Sequence, residues 1–124
     1  MPHFVFERPP SLDALERAVP TEPIRWGRSV LKVEGLWLRP SRPSALAEGV
    51  VVELARPLHP VAILAPRRQE LVVRLWPLVP VERTHSVQRW LAILAGAAMR
   101  AGAGALVSTN VAEELWRDLL ESRP

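Results

Sequence analysis

The chain of 124 residues contains no cysteine and no tyrosine, and Lys32 is the one lysine among sixteen basic residues. Without cysteine the chain can form no disulfide, no thiolate metal site and no cysteine nucleophile. Its longest apolar run, WLAILAGAAM at 90–99, is too short to cross a bilayer and predicts a buried helix. The N-terminal MPHFVFERPP lacks the basic and long apolar regions of a signal peptide. We therefore expect a cytoplasmic protein.

The composition is that of an ordinary globular protein, with 48% apolar and 23% charged residues and a net charge of +3. The length suits a single domain that covers residues 1–124. The basic residues are nearly all arginine, and thirteen prolines are present. This combination is compatible with a heat-adapted source and equally with a GC-rich genome, so both interpretations stay open.

Proline divides the middle of the chain. Four pairs share the spacing P-x-x-P, at 20 and 23, 40 and 43, 57 and 60, and 77 and 80. The spacing can mark a polyproline ligand. Each pair brackets a strand-like segment, however, and proline cannot donate to a strand ladder. We therefore interpret the pairs as loops between strands.

Two hairpins are predicted between these loops. In RSVLKVEGLWLR (28–39), a two-residue turn at Glu34-Gly35 would place Leu31, Val33, Leu36 and Leu38 on one face. A straight single strand would divide the same side chains between both faces. The second hairpin joins VAILA to ELVVRLW through a turn at 66–69. It would place Val61 and Ile63 with the odd-numbered residues 71–75, and Ala62 and Leu64 with 72 and 76. GVVVELAR (49–56) and HFVFE (3–7) are further strands.

Three helices are predicted nearer the two ends. Ser11 can cap SLDALERAV, which Pro20 ends. A second helix over about 86–101 is apolar almost all round, so we expect it to be buried on more than one side. In the third, VAEELWRDLLES (111–122), the apolar residues form one stripe. Asn110 or Thr109 would be its N-cap, with Glu113 completing a capping box.

These elements predict an α+β fold, in which two or three helices pack on one face of an antiparallel β-meander of about five to seven strands. The order of strand, helix, meander, buried helix, GAGALVSTN and amphipathic helix resembles that of small bacterial α+β domains of unknown function. The resemblance covers most of the chain, implies the fold class and carries over no functional residue.

The stretch AGAGALVSTN (101–110) has the glycines of a phosphate loop in the wrong order. A phosphate loop runs from strand to helix, so that helix N–H groups face the anion. Here Gly102 and Gly104 follow a helix and precede a strand, and the lysine of a P-loop is missing. We expect a tight corner, with Gly102 ending the helix in a left-handed conformation.

Catalytic and metal-binding patterns are not apparent. The three histidines are far apart, and none has a second ligand at helical spacing. We predict no metal and no cofactor. A small enzyme with a polar pocket around His85, shared with Arg83, Ser86 and the STN at 108–110, is the least favoured function.

Basic and aromatic side chains carry the remaining hypotheses. Single-stranded nucleic acid or another anion could bind through phosphate contacts and base stacking, and the basic candidates are Arg25, Arg28, Lys32, Arg67, Arg68 and Arg74. Arginine and tryptophan are also enriched at protein interfaces. Since the net charge is modest, we favour a non-enzymatic interaction or scaffold module that forms a homodimer and buries Trp37 or Trp76.

Overall fold

The computed structural model describes residues 1–121. Eight strands make one sheet: β1 (His3–Phe6), β2 (Ile24–Trp26), β3 (Ser29–Arg39), β4 (Ser44–Glu53), β5 (Arg56–Leu58), β6 (Val61–Arg67), β7 (Glu70–Leu75) and β8 (Leu106–Thr109). The helices are α1 (Leu12–Ala18), α2 (His85–Ala98) and α3 (Arg117–Leu120), with a π-helical turn at Met99–Ala103 and a 3-10 turn at Glu113–Leu115.

The sheet is antiparallel throughout, has the order β2-β3-β4-β6-β7-β1-β8 and curls around α2. The strands from β2 to β7 follow chain order, as a meander requires. Twelve of the fourteen residues of α2 are buried, because the concave side of the sheet holds the helix on several sides. The predicted α+β class and the buried helix are confirmed. No helix within residues 1–121 is long and apolar enough to cross a membrane.

The predicted turn at Glu34-Gly35 is wrong, although the prediction that the apolar side chains on its two sides share one face is confirmed. Residues 29–39 form one strand, and the turn lies at 40–43. A β-bulge at Glu34 shifts the register, so that Val33 pairs with Gly49 but Gly35 pairs with Glu48. A bulge inserts one extra residue and reverses the alternation beyond it. Four apolar side chains therefore face α2 along a single strand: Leu31, Val33, Leu36 and Leu38.

The strand count exceeds the predicted five to seven because two short strands, β2 and β5, were not predicted. A proline separates β5 from β6. β5 and β6 keep a single register against β4, where Leu58 pairs with Val51 and Val61 pairs with Glu48. Between them, the Gly49 N–H donates to the carbonyl of Pro60 at 3.0 Å. Pro60 has no N–H to return, so the ladder breaks there and two short strands replace one long one.

The second hairpin is confirmed, but its turn is shorter than predicted. Arg67 pairs with Glu70, which leaves Arg68 and Gln69 as a two-residue turn. Arg68 has a φ of 59°, as such turns often require. The observed register corrects the assignment of faces on β6: Ala62 and Leu64, and not Val61 and Ile63, lie on the buried side with residues 71, 73 and 75 of β7.

Trp90 anchors α2 to the sheet. Its ring is fully buried, and its Nε1–H donates to the Lys32 carbonyl at 3.0 Å. The indole reaches this carbonyl by passing under Gly49. A Cβ at position 49 would lie 2.2 Å from the indole nitrogen and 2.6 Å from the Lys32 oxygen. Only glycine allows this approach, so the pairing of β3 with β4 and the position of α2 are linked.

The caps of the first two helices follow from their sequences. The Ser11 side chain accepts from the Ala14 N–H at 3.3 Å, as predicted. The long helix begins at His85, and its cap is Thr84, which accepts from the Val87 N–H at 3.2 Å. A threonine immediately before the first turn supplies an acceptor to the free N–H groups.

The glycine corner has the predicted conformation and no free site for an anion. Gly102 has a φ of 103° and a ψ of 14°, and it ends the π-helical turn in the left-handed region. The Ala105 N–H donates to the Glu7 carboxylate at 2.7 Å, and the Arg8 N–H donates to the Ala103 carbonyl at 3.1 Å. The corner therefore packs against residues 7 and 8.

The third helix is shorter than predicted and is capped differently. Residues 113–120 form a 3-10 turn and then a four-residue helix, and Ser122 lies outside the described residues. The proposed caps make other bonds: the Asn110 side chain accepts from the His3 N–H at 3.0 Å, and Thr109 Oγ1 donates to the His3 carbonyl at 2.7 Å. These side chains fasten β8 to β1. Thr109 Oγ1 also accepts from the Val111 N–H at 3.0 Å, but the first helical turn begins only at Glu113.

Candidate functional site

The side of the sheet that faces away from α2, here called the outer face, is largely apolar. Alternation and the bulge at Glu34 decide its members, since successive side chains of a strand point to opposite sides. They are Arg25 of β2; Val30, Lys32, Trp37 and Arg39 of β3; Ser44, Leu46, Glu48, Val50 and Val52 of β4; Pro57 of β5; Val61, Ile63, Ala65 and Arg67 of β6; Glu70, Val72 and Arg74 of β7; His3 and Val5 of β1; and Ser108 of β8. Trp76 follows β7 on the same face.

A single row of side chains crosses the middle of the outer face. The row runs from Trp37 through Leu46, Ile63 and Arg74 to His3, each paired with the next on the neighbouring strand. Leu46 and Ile63 form the apolar centre. No helix of the described chain lies over them, because the helices pack on the concave side.

Two tryptophans border a shallow depression at this centre. The depression has a volume of about 220 Å³, and its lining includes Trp37, Leu46, Ile63, Trp76 and Arg39. The Trp37 side chain is 55% exposed. Its ring folds back over the Cα of the glycine two residues earlier in the strand. The two tryptophans named as interface candidates are thus brought to one site from strands that are far apart in the sequence.

Charged groups of both signs surround the depression. Arg39 and Arg74 lie beside it, and a second depression of about 300 Å³ next to it is lined by Arg67, Arg74, Val72 and two neighbours. Glu48 and Glu70 are on the same face. The outer face is therefore apolar at its centre and mixed in charge at its rim, and it does not carry a continuous basic stripe.

The six basic candidate residues fall into separate groups. Arg25, Arg28 and Lys32 lie at the β2–β3 end of the sheet, while Arg67 and Arg68 lie at the tip of the β6–β7 hairpin. From the register, Lys32 and Arg74 are about 20 Å apart along the sheet. None of the six forms a salt bridge within residues 1–121.

His85 does not share a pocket with the other residues proposed for it. Its side chain is exposed in the first turn of α2. Ser86 is buried, and its hydroxyl lies 2.6 Å from that of Ser29. The hydrogen bonds of Thr109 and Asn110 go to residues 1, 3 and 111. Within residues 1–121, no three His, Asp or Glu side chains form a group that could hold a metal ion.

Arg89 is a buried charge that the sequence analysis did not single out. Its guanidinium is bidentate to the Asp118 carboxylate, at 2.7 and 2.9 Å, and also donates to the Leu115 carbonyl at 3.1 Å. The guanidinium carbon lies 5.7 Å from the centre of the Trp26 ring. This arrangement ties the C-terminal segment and β2 to α2. We assign it a structural role, because both terminal nitrogens of the guanidinium donate to groups of the same chain. The buried Nε–H has no hydrogen-bond partner within residues 1–121.

The exposed pair formed by Arg56 and Glu82 shifts the pKa of its carboxyl group. The Arg56 guanidinium hydrogen bonds to Glu82 at 2.7 and 3.2 Å. First the hydrogen bond and then the charge of Arg56 hold the pKa of the Glu82 carboxyl below its ordinary value. The pair lies outside the outer face, and it joins β5 to the segment before α2.

The sequence analysis missed Leu46 and Ile63, the apolar centre of the site. Leu46 lies in a segment, SALAEG, that was not assigned to a strand, although its alternation continues that of the valines after it. Ile63 was grouped with residues 71, 73 and 75, whereas in the observed register it pairs with Arg74. Comparison of the chain with protein-family models, curated proteins and solved structures gave no match. The site is therefore interpreted from its own geometry.

Proposed function

We propose that the protein is a non-catalytic interaction module that works as a homodimer, and that the outer face is its interface. The observation that carries the proposal is the apolar row of Trp37, Leu46 and Ile63 with Trp76 beside it. An antiparallel sheet that faces water on one side usually carries polar side chains there. A contiguous apolar patch with a charged rim is typical of an interaction surface.

The size of the outer face suits a second copy of the chain. From β3 to β1 it spans about 19 Å, and along β4 about 33 Å. The product of these lengths is about 600 Å², of the same order as the roughly 800 Å² per partner that a standard interface buries. The face is convex because the sheet curls around α2, and Val5 and Val72 are already buried within one copy. Tryptophan and arginine, which often dominate binding energy, lie at the centre and beside it.

The test is the solution mass of a variant in which the centre carries a charge. Ile63→Arg would bury an unpaired guanidinium in the interface, so we expect a monomer where the unmodified chain is a dimer. Static light scattering at micromolar concentration measures this. The matched control is Leu54→Arg, the same kind of change at a turn residue that is 83% exposed and about 26 Å away along the sheet.

Unchanged circular dichroism would show that both variants fold. A dimer that survives Ile63→Arg, or is lost equally in Leu54→Arg, would contradict the proposed interface.

Single-stranded nucleic acid is a second candidate ligand, favoured by the position of Arg39 and Arg74 beside two accessible indoles. Bases could stack on Trp37 and Trp76 while the arginines contact phosphates. Glu48 and Glu70 on the same face oppose such binding. Tryptophan fluorescence titration with an oligodeoxythymidine at low salt tests this function.

The nucleic-acid hypothesis expects affinity that falls steeply with salt and is reduced by Arg67→Glu with Arg68→Glu. No quenching at low salt would exclude it and leave the dimer as the one proposal.

A further inference from the structure

The outer face is self-complementary in one orientation, which specifies how a second copy would dock. This inference rests on the proposed dimer. Packed sheets keep their strand directions within about 30° of each other, and a two-fold dimer presents the same patch from both copies. The two-fold axis that relates the two copies can therefore lie in the plane of the interface. It can run parallel to the strands or perpendicular to them. The register of the sheet decides what meets in each case.

An axis along the strands, midway between β4 and β6, places unlike residues opposite each other. Leu46 of one copy then faces Ile63 of the second, because both occupy the central row on strands next to the axis. In the same row, Trp37 on β3 and Arg74 on β7 are equally far from the axis on its two sides. Each Trp37 therefore faces Arg74 of the second copy, and the contact occurs twice.

The rim is also complementary in this orientation. Arg39 of one copy is offset from Glu70 of the second by about two residues in the strand direction, which an arginine side chain can span. Glu48 faces Val61 and is diagonal to Arg74 of the second copy, which its carboxylate can approach. Among the strand residues of the outer face, no two like charges are placed directly opposite, while Arg67 of the second copy lies diagonal to Arg39.

An axis perpendicular to the strands, through the central row, places like residues opposite each other. Each residue of the row then faces its own copy, so Arg74 meets Arg74 at the interface. Two like charges opposite each other in a desolvated contact oppose association. We propose that two copies dock with the axis along the strands, so that Trp37 of each copy stacks on the guanidinium of Arg74 of the other.

Charge substitutions at Trp37 distinguish the two orientations. In the proposed dimer, Trp37→Arg faces Arg74 and weakens dimerisation about tenfold or more, whereas Trp37→Glu faces the same cation and largely preserves it. Adding Arg74→Glu to Trp37→Arg restores the dimer. Within one copy the two positions are three strand spacings, about 14 Å, apart, so a rescue within one chain is excluded. Sedimentation equilibrium measures the dissociation constants.

Other results have separate meanings. If Trp37→Arg and Trp37→Glu dissociate the dimer equally and form a heterodimer when mixed, Trp37 faces itself and the inference is wrong. If the unmodified chain is a monomer, the proposed function fails before the orientation is tested. Since Trp37 is 55% exposed, its substitution leaves the core intact, and circular dichroism of each variant checks this.

Discussion

Substitution of Gly49 by alanine tests the link between the sheet and the buried helix. The added methyl would lie 2.2 Å from the Trp90 indole nitrogen and 2.6 Å from the backbone carbonyl of Lys32. Overpacking of this kind costs about 1–3 kcal/mol. Displacement of the indole would also lose its hydrogen bond to Lys32, which contributes about 0.5–1.5 kcal/mol. We expect Gly49→Ala to lower the free energy of unfolding by about 2–4 kcal/mol, measured by urea denaturation.

The matched control is Gly35→Ala on the neighbouring strand. Its added methyl also meets an indole, at 2.5 Å from the Trp37 ring, but in a single chain that ring is half exposed and can rotate into solvent. Both variants are therefore compared at concentrations at which the dimer has dissociated. We expect a change of less than about 1 kcal/mol, since alanine also restricts the unfolded chain. Equal effects of the two substitutions, or a loss below about 1 kcal/mol for Gly49→Ala, would refute the close approach of Trp90 to β4.

Two further predictions concern the surface. The β4–β5 turn holds Leu54 at a φ of 50° and Ala55 at 61°, so Leu54→Asn with Ala55→Gly is expected to stabilise the fold by about 1–2 kcal/mol in urea denaturation; a loss of stability would argue against this turn. Because Arg56 lowers the pKa of Glu82, the pair stabilises the fold above the ordinary pKa of 4.5 and ceases to do so as the pH falls through the lowered value. Glu82→Gln should therefore be less stable than the unmodified chain at neutral pH and converge with it in acid, and a gap that widens in acid would contradict the pairing.

Much of the fold could be predicted from the sequence because the local signals agree. Serine before an amphipathic run and glycine after the apolar helix each have one local meaning. Three of the four proline pairs lie in connections between elements, whereas Pro57 lies within β5. The apolar pattern of 90–99 was sufficient to predict that α2 is buried. These features depend on neighbours in the chain, so no tertiary information was needed.

The predictions were wrong where two different backbone conformations give the same pattern of apolar residues. A turn at Glu34-Gly35 and a bulge at Glu34 both place Leu31 and Leu36 on one face. The choice between them is made by β4, nine of whose ten residues pair with β3 on both sides of Glu34. Likewise, the caps expected at Thr109 and Asn110 bond instead to residues at the other end of the chain.

The candidate site could be predicted only in part. The two tryptophans were identified as interface residues, but their meeting depends on the order of four strands and on the exact length of the turn before β7. The basic residues were counted as one group because they are frequent in two segments. The register of the sheet separates these basic residues into groups. It places Arg39 beside Trp37, and it places Arg74 opposite Ile63 on the neighbouring strand.

The mass of the unmodified chain in solution tests most directly whether the outer face joins two copies. Sedimentation velocity over a concentration series that reaches the micromolar range measures it without a substitution. We predict a species of twice 13.9 kDa that dissociates on dilution as one reversible step. A species of 13.9 kDa at every concentration would contradict the proposed interface.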